Sequence, residues 1–263
     1  MDYVEFGKTG LRVSRLAFGT GTAGWGGHSE QTDLGVDRLA SLLHLAYDHG
    51  VNFWDAADTY GSHPHVARAL QDIPRHDVVI ATKTMSRDAA QVTQDVERFL
   101  RELGTDVLDV VLLHFMTRAD WPQRYAGAME ALSRAKEEGK VHAVGVSCHG
   151  LEPLRAVAET AWAEVVLARI NPAGVNMDAS PAKVAPVIER LYTSGKAVYG
   201  MKVLGCGQLV GTVRAAMRYV FELGVVHSVV IGTSQRRHLL ENVKLVEEIA
   251  PHYPLRAPPT LSK

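Results

Sequence analysis

At 263 residues, 46% hydrophobic and 22% charged, the chain is long and apolar enough to bury a large core, and its composition is that of an ordinary globular protein. A formal net charge of -1 removes any global electrostatic drive toward nucleic acid or a membrane surface. No apolar run reaches the roughly 18 residues of a membrane span, the opening MDYVEFGKTGLRV carries no apolar leader, and the cysteines are two, Cys148 and Cys206, so a cytoplasmic protein with reduced thiols is the expectation.

In chain order, YVEFGKTGLRVSRL places a Lys-Thr-Gly turn between apolar residues and predicts a hairpin that closes the bottom of whatever follows. Then short β-branched apolar runs alternate with amphipathic stretches. The strand-like runs cover 15–19, 51–56, 78–83, 109–114, 142–147, 164–171, 197–203 and 228–233. Helical patterns cover 33–49, 64–72, 88–103, 122–138, 150–161, 181–194, 211–223 and 236–249. Ser180-Pro181 marks a helix start, and Gly104, Gly139, Gly195 and Gly224 fall just past helix ends. Continuous apolar strands separated by helices imply a parallel sheet covered on its outer face, and eight such units imply a closed (β/α)8 TIM barrel rather than an open sheet. No linker or composition step divides the chain, so one α/β domain over 1–263 is expected, ending in a proline-rich tail from Pro251 packed loosely on the surface.

Barrels of this kind carry their chemistry at the carboxyl ends of the strands. The second strand ends at Asp55 with Tyr60 just beyond, the third at Lys83, the fourth at His114. Each alone has a plain alternative: a solvated lysine, a core histidine, a tyrosine capping the barrel. Together on three adjacent strands they place a carboxylate, an ammonium, a phenol and an imidazole in one small volume. A cation within about 4 to 6 Å lowers a phenol pKa by about 1 to 3 units, so Lys83, paired with Asp55, would make Tyr60 a proton donor and His114 a hydrogen-bond donor to a carbonyl oxygen. General-acid catalysis of that kind is worth about 10² to 10⁴ in rate. No side chain donates hydride, so carbonyl reduction by such a site requires a nicotinamide cofactor.

These residues sit in stretches that together resemble the aldo-keto reductase superfamily over nearly the whole chain: GKTGLRVSRLAFGTG, GVNFWDAADTYG, Lys83 in ATKT, His114 in VVLLH, GKVHAVGVS and LLENV. The resemblance implies a (β/α)8 fold, NADPH-dependent reduction of small aldehydes or ketones with NADH as the alternative reductant, and a tetrad of Asp55, Tyr60, Lys83 and His114 with Tyr60 as general acid. It implies a cofactor lying extended across the barrel mouth, near Gly19, Thr20, Asp55 and Ser147, with Glu241 and Asn242 approaching the adenine. Gly232 and Thr233 open GTSQRRH, a strand-to-helix turn whose backbone N–H groups favour an anion, where Arg236, Arg237 and His238 are candidates for the 2′-phosphate.

Departures from the resemblance fall on the cofactor contacts. Cys148 stands where relatives have asparagine, the carboxamide-binding glutamine of the sixth strand is missing from VVLARINPAG with Arg169 and Asn171 as substitutes at hand, and GMKVLGCG puts Met201 in the place of a stacking aromatic and Lys202 beside it, with Leu204 in the same loop. His63, His65 and His149 lie near the mouth, but the spacing of a zinc site is absent, so no metal is expected and His63 or His149 is expected to line the substrate or cofactor pocket. The competing functions are a nicotinamide-binding sensor or regulatory subunit on the same fold, which a likeness to potassium-channel β subunits permits, and Schiff-base chemistry on Lys83, which its pairing with Asp55 disfavours. The expected partner is a small carbonyl substrate, with no nucleic acid or membrane; a monomer is the default.

Overall fold

Alternation along eight parallel strands decides which residues face the barrel axis and which face the helices. The computed structural model describes residues 1–177 and 179–257. Its barrel strands are β3 (Leu16–Gly19), β4 (Phe53–Asp55), β5 (Val79–Thr84), β6 (Leu108–Met116), β7 (Val141–Cys148), β8 (Val165–Arg169), β9 (Ala197–Met201) and β10 (Ser228–Gly232), and β10 closes on β3. Before them, β1 (Tyr3–Glu5) and β2 (Arg12–Ser14) pair antiparallel as the expected hairpin, which sends Phe6 into the barrel floor at 5.2 Å from the Phe53 ring and 5.9 Å from the Tyr199 ring. The architecture is a (β/α)8 barrel.

The helices are α1 (Val36–Asp48), α2 (His63–Ala69), α3 (Ala89–Leu103), α4 (Trp121–Arg124), α5 (Ala126–Glu137), α6 (Leu151–Ala158), α7 (Pro181–Thr193), α8 (Val213–Glu222) and α9 (Arg236–Ile249). The pattern at 122–138 had predicted one helix; the backbone of Tyr125, at φ -113° and ψ 25°, splits it into α4 and α5. The longest helix, α3, shows how the sequence sets its limits. Asp88 accepts the Gln91 N–H as an N-cap worth about 1 kcal/mol, Gly104 ends it in the left-handed region at φ 64°, and Val92, Val96, Phe99 and Leu103 make the stripe that packs on the sheet.

Two apolar layers result. Ala17, Phe53, Ala81, Val110, Leu112, Val165, Leu167 and Tyr199 fill the barrel, while Phe18, Trp54, Ile80, Val111, Leu113 and Val166 pack under the helices. Carried one step toward the strand ends, the inward-facing set becomes polar or small: Gly19, Asp55, Lys83, His114, Ser147 and Arg169, with Met201 and Gly232. The tail is fastened as far as Arg256, whose N–H donates to Gly224 O at 2.8 Å and whose carbonyl accepts from the Tyr192 hydroxyl at 2.5 Å. The rest of the expected loose terminus, 258–263, lies outside the described residues. Among the described residues no helix is long and apolar enough to cross a membrane.

Candidate active site

At the mouth, Lys83 is fully buried and Asp55 nearly so. Lys83 Nζ donates to Asp55 Oδ1 at 2.7 Å and to the Ala56 carbonyl at 2.7 Å, using two of its three N–H groups. The other carboxylate oxygen, Asp55 Oδ2, accepts the Tyr199 hydroxyl at 2.8 Å. Thr20 fixes the backbone beneath: its N–H and its hydroxyl both donate to the Asp55 carbonyl, at 3.0 and 2.9 Å. A buried ion pair with both oxygens of its acid satisfied avoids the cost of an isolated charge.

Tyr60 ends a single 3-10 turn, Asp58–Tyr60, that leaves β4. Its ring centroid lies 4.9 Å from Lys83 Nζ and 5.6 Å, edge-on, from the His114 imidazole. The ring is gripped by glycine backbone: a Cβ placed on Gly21 would lie 2.2 Å from a Tyr60 ring carbon, and one on Gly24 2.4 Å. Gly21→Ala must therefore push the phenol off its position. We expect it to lower turnover about a hundredfold, the cost of a misplacement of about 1 Å, with little change in melting temperature, as measured by kcat beside a thermal melt.

The electrostatics differ from the sequence expectation in one respect. Enclosure by protein, and then the Asp55 carboxylate, push the Tyr60 phenol above its ordinary value instead of Lys83 pulling it down. Burial also pushes Lys83 down, with Asp55 opposing. His114 is held well below the usual imidazole range by burial, by Lys83 and by His149 and Arg87, so it is neutral at pH 7 and can donate one N–H. Its Nδ1 lies 3.4 Å from Thr59 Oγ1, and Arg87 donates to its carbonyl.

A cleft of about 280 Å³ opens beside this cluster, lined by Gly19, Asp55, Tyr60, Met201, Lys202, Leu204 and Gly232 among others. Several other predicted contacts are otherwise engaged. The Ser147 hydroxyl accepts the Phe115 N–H at 2.9 Å. Asn171 is fully buried, and its amide is spent: Oδ1 accepts from Ala173 and Val175 N–H at 3.1 Å, and Nδ2 donates to Val175 O at 2.7 Å and Lys202 O at 3.0 Å. It ties the loop after β8 to the loop after β9 and does not replace the missing glutamine. Cys148 points into the layer under the helices, where burial pushes its thiol up; it does not line the cleft. Thr233 turns back on the Gln235 backbone, and Arg236, Arg237 and His238 are exposed on the first turn of α9, with Arg237 holding Glu241 at 2.7 Å and Asn242 beside it half-buried.

Two features escaped sequence reading. Tyr199 completes the Asp55 carboxylate; its one signal was the alternation of AVYGM, which points Tyr199 and Met201 inward. Phe115 adopts a left-handed backbone, φ 64°, where the β6 register slips between Leu113 and Met116. That slip turns Phe115 outward, 39% exposed, against Trp25 at 6.1 Å and His149 at 4.3 Å, and forms an aromatic wall beside His114. No local signal in VVLLHFM announces it. His149 accepts from Arg169 at 2.6 Å on Nδ1, and burial and then Arg169 push its pKa down to about 3. His63 and His65 are buried away from the cleft lining, and among the described residues no group of three or more metal-ligating side chains is placed to hold an ion.

The chain is similar to several known proteins. The aldo-keto reductase YhdN of Bacillus subtilis is 32% identical over 181 residues, 60% of this chain and 51% of its own. An NADH-specific methylglyoxal reductase of Escherichia coli is 23% identical, covering 65% of this chain and 59% of its own. The chain thus spans between half and two thirds of the length of these curated relatives. A crystal structure of a putative aldo-keto reductase from Pseudomonas aeruginosa superimposes with a TM-score of 0.79 at 27% identity, covering 94% of this chain and 95% of that one. The profile of the Aldo/keto reductase family matches residues 15–215, from the residue before β3 into α8, and over that span the chain belongs to the aldo/keto reductase family.

Proposed function

We propose that the protein is an NAD(P)H-dependent oxidoreductase that reduces the carbonyl of small aldehydes or ketones to an alcohol, with Tyr60 as the proton donor. The observation that carries this reading is the convergence of Lys83, Asp55 and His114 around Tyr60, with Tyr60 and Asp55 lining the cleft and Lys83 buried behind them. The cleft suits a nicotinamide: Met201 and Leu204 offer apolar surface, Gly19 and Gly232 leave the floor without side chains, and Lys202 brings a cation to the rim. The nicotinamide, when bound, supplies the hydride. Neutral His114 donates its N–H to the substrate oxygen and orients the carbonyl. Tyr60, whose phenol is held protonated by burial, releases its proton only to an oxygen that has become strongly basic, which the carbonyl oxygen does as it turns into an alkoxide. Lys83 then lies 4.9 Å from the ring that carries the new negative charge.

For the reductant, Arg236 on the first turn of α9 supports NADPH, since a helix N-terminus and a guanidinium together suit a phosphate. A relative that is named NADH-specific makes the preference worth measuring directly. Fluorescence titration of the wild type with NADPH and NADH, followed by a panel of aldehydes, ketones and quinones, tests both levels. Arg236→Ala is expected to raise the Kd for NADPH about tenfold, as for a hydrogen bond to a charged group, and to leave that for NADH within about twofold. Binding without turnover across the panel would favour the sensor reading.

A further inference from the structure

One face of α3 is polar and reaches the turn that bears Tyr60. Arg98 donates to both oxygens of Asp58, at 2.7 and 2.9 Å, and on its own helix to Asp95 at 2.8 Å and Glu102 at 3.0 Å. Asp58 opens the 3-10 turn that Tyr60 closes. The same helix face also holds β5 on either side of Lys83. Thr84 and Ser86 donate to Asp95 Oδ2, and Glu102 Oε2 meets His63 Nδ1 at 2.6 Å while His63 Nε2 meets Thr82 Oγ1 at 2.7 Å. Thr82 and Thr84 face outward where Lys83 faces inward.

We propose that Arg98 is a positioning residue for the proton donor: by clamping Asp58 it fixes the Tyr60 turn against the strand that presents Lys83. This rests on reading Tyr60 as the donor. The chemistry of the clamp supports it. Three carboxylates, Asp58, Asp95 and Glu102, surround one guanidinium, and a planar fork that meets both Asp58 oxygens fixes orientation as well as distance. Without the guanidinium the three acids repel one another, and Asp58 loses the two hydrogen bonds that tie its turn to α3. His63 completes the framework from the other side, buried between a helix and a strand, with burial the main force lowering its pKa and Glu102 the main opposing one.

The test uses Arg98→Gln, which keeps hydrogen-bonding capacity without the charge, Arg98→Lys, which keeps the charge without the fork, and the double variant Arg98→Gln with Asp58→Asn, which removes one of the repelling acids. Turnover, cofactor Kd, melting temperature and backbone hydrogen exchange on the unliganded protein are read for each. The expected result is a kcat lowered about 10- to 100-fold in Arg98→Gln, with cofactor Kd within about threefold, partial recovery in the double variant, and faster exchange confined to the amides of 57–63. Unchanged kcat in both single variants overturns the proposal, as does a loss of kcat matched by an equal loss of cofactor binding, which is damage to the whole barrel. If Arg98→Gln does not fold, Arg98→Lys carries the same readings. Wild-type protein that reduces no carbonyl would instead refute the reading of Tyr60, and exchange at 57–63 unchanged by either substitution would still refute the clamp.

Discussion

Tyr60→Phe is expected to lower carbonyl reduction by about 10² to 10⁴, or roughly 3 to 5.5 kcal/mol of transition-state stabilisation, while Kd for the nicotinamide nucleotide stays within about twofold. The ring keeps its seat between Gly21 and Gly24, so the substitution removes the acidic O–H and little else. Single-turnover reduction with bound reductant separates the chemical step from binding. Turnover above about a tenth of wild type, outside the range expected for a lost general acid, would remove Tyr60 from the mechanism. The pH dependence has a definite sign. A donor must be protonated, and burial with the Asp55 charge holds this phenol above its ordinary value. Reduction should therefore run flat through neutrality and fall only on the alkaline side, while oxidation of the alcohol, which needs phenolate, should gain with rising pH. His114 adds no break near neutrality, because its imidazole stays neutral there.

The second large effect concerns the ion pair. Lys83→Met strips Asp55 Oδ1 of its partner and leaves a nearly buried carboxylate held by the Tyr199 hydroxyl alone. Breaking a buried pair from one side costs about 3 to 5 kcal/mol, which urea or thermal unfolding will read. Replacing both ions, Asp55→Leu with Lys83→Met, should restore most of the lost stability because no charge is left unpaired, yet the protein should remain inactive. That contrast separates the pair's structural part from its chemical one. A single Lys83→Met variant within about 1 kcal/mol of wild type, as for an exposed pair, would show that the carboxylate reaches water or a proton by another route.

Strand positions were legible because each barrel strand must be apolar on both faces, and the polar residue that ends the run then stands out: Asp55, Lys83 and His114 were found that way. The hairpin and the glycine helix stops were legible for equally local reasons. What sequence could not show depends on which side chains the closed barrel brings together. Tyr199 reaches Asp55 across 144 residues of chain, and Arg98 reaches Asp58 across 40. Asn171 has the right chemistry for a carboxamide ligand and lies close to the right place, but two loop backbones consume its amide. Phe115 faces outward through a register slip, and a pattern of alternation cannot contain the point at which it fails.

Three members of the cluster, Asp55, Lys83 and His114, sit on strands locked into the barrel, and Tyr60 alone rides on a connecting turn. On the proposed reading of Tyr60, the connections after β6 and β8 are the places to retune what the protein accepts, since neither carries the proton donor or the cleft-lining Lys202 and Leu204 of the β9 connection. The connections after β3 and β4 have no such latitude: the first carries the glycines that grip the Tyr60 ring and the second carries the tyrosine itself with its aspartate forked by an arginine, so a graft at either would shift the phenol.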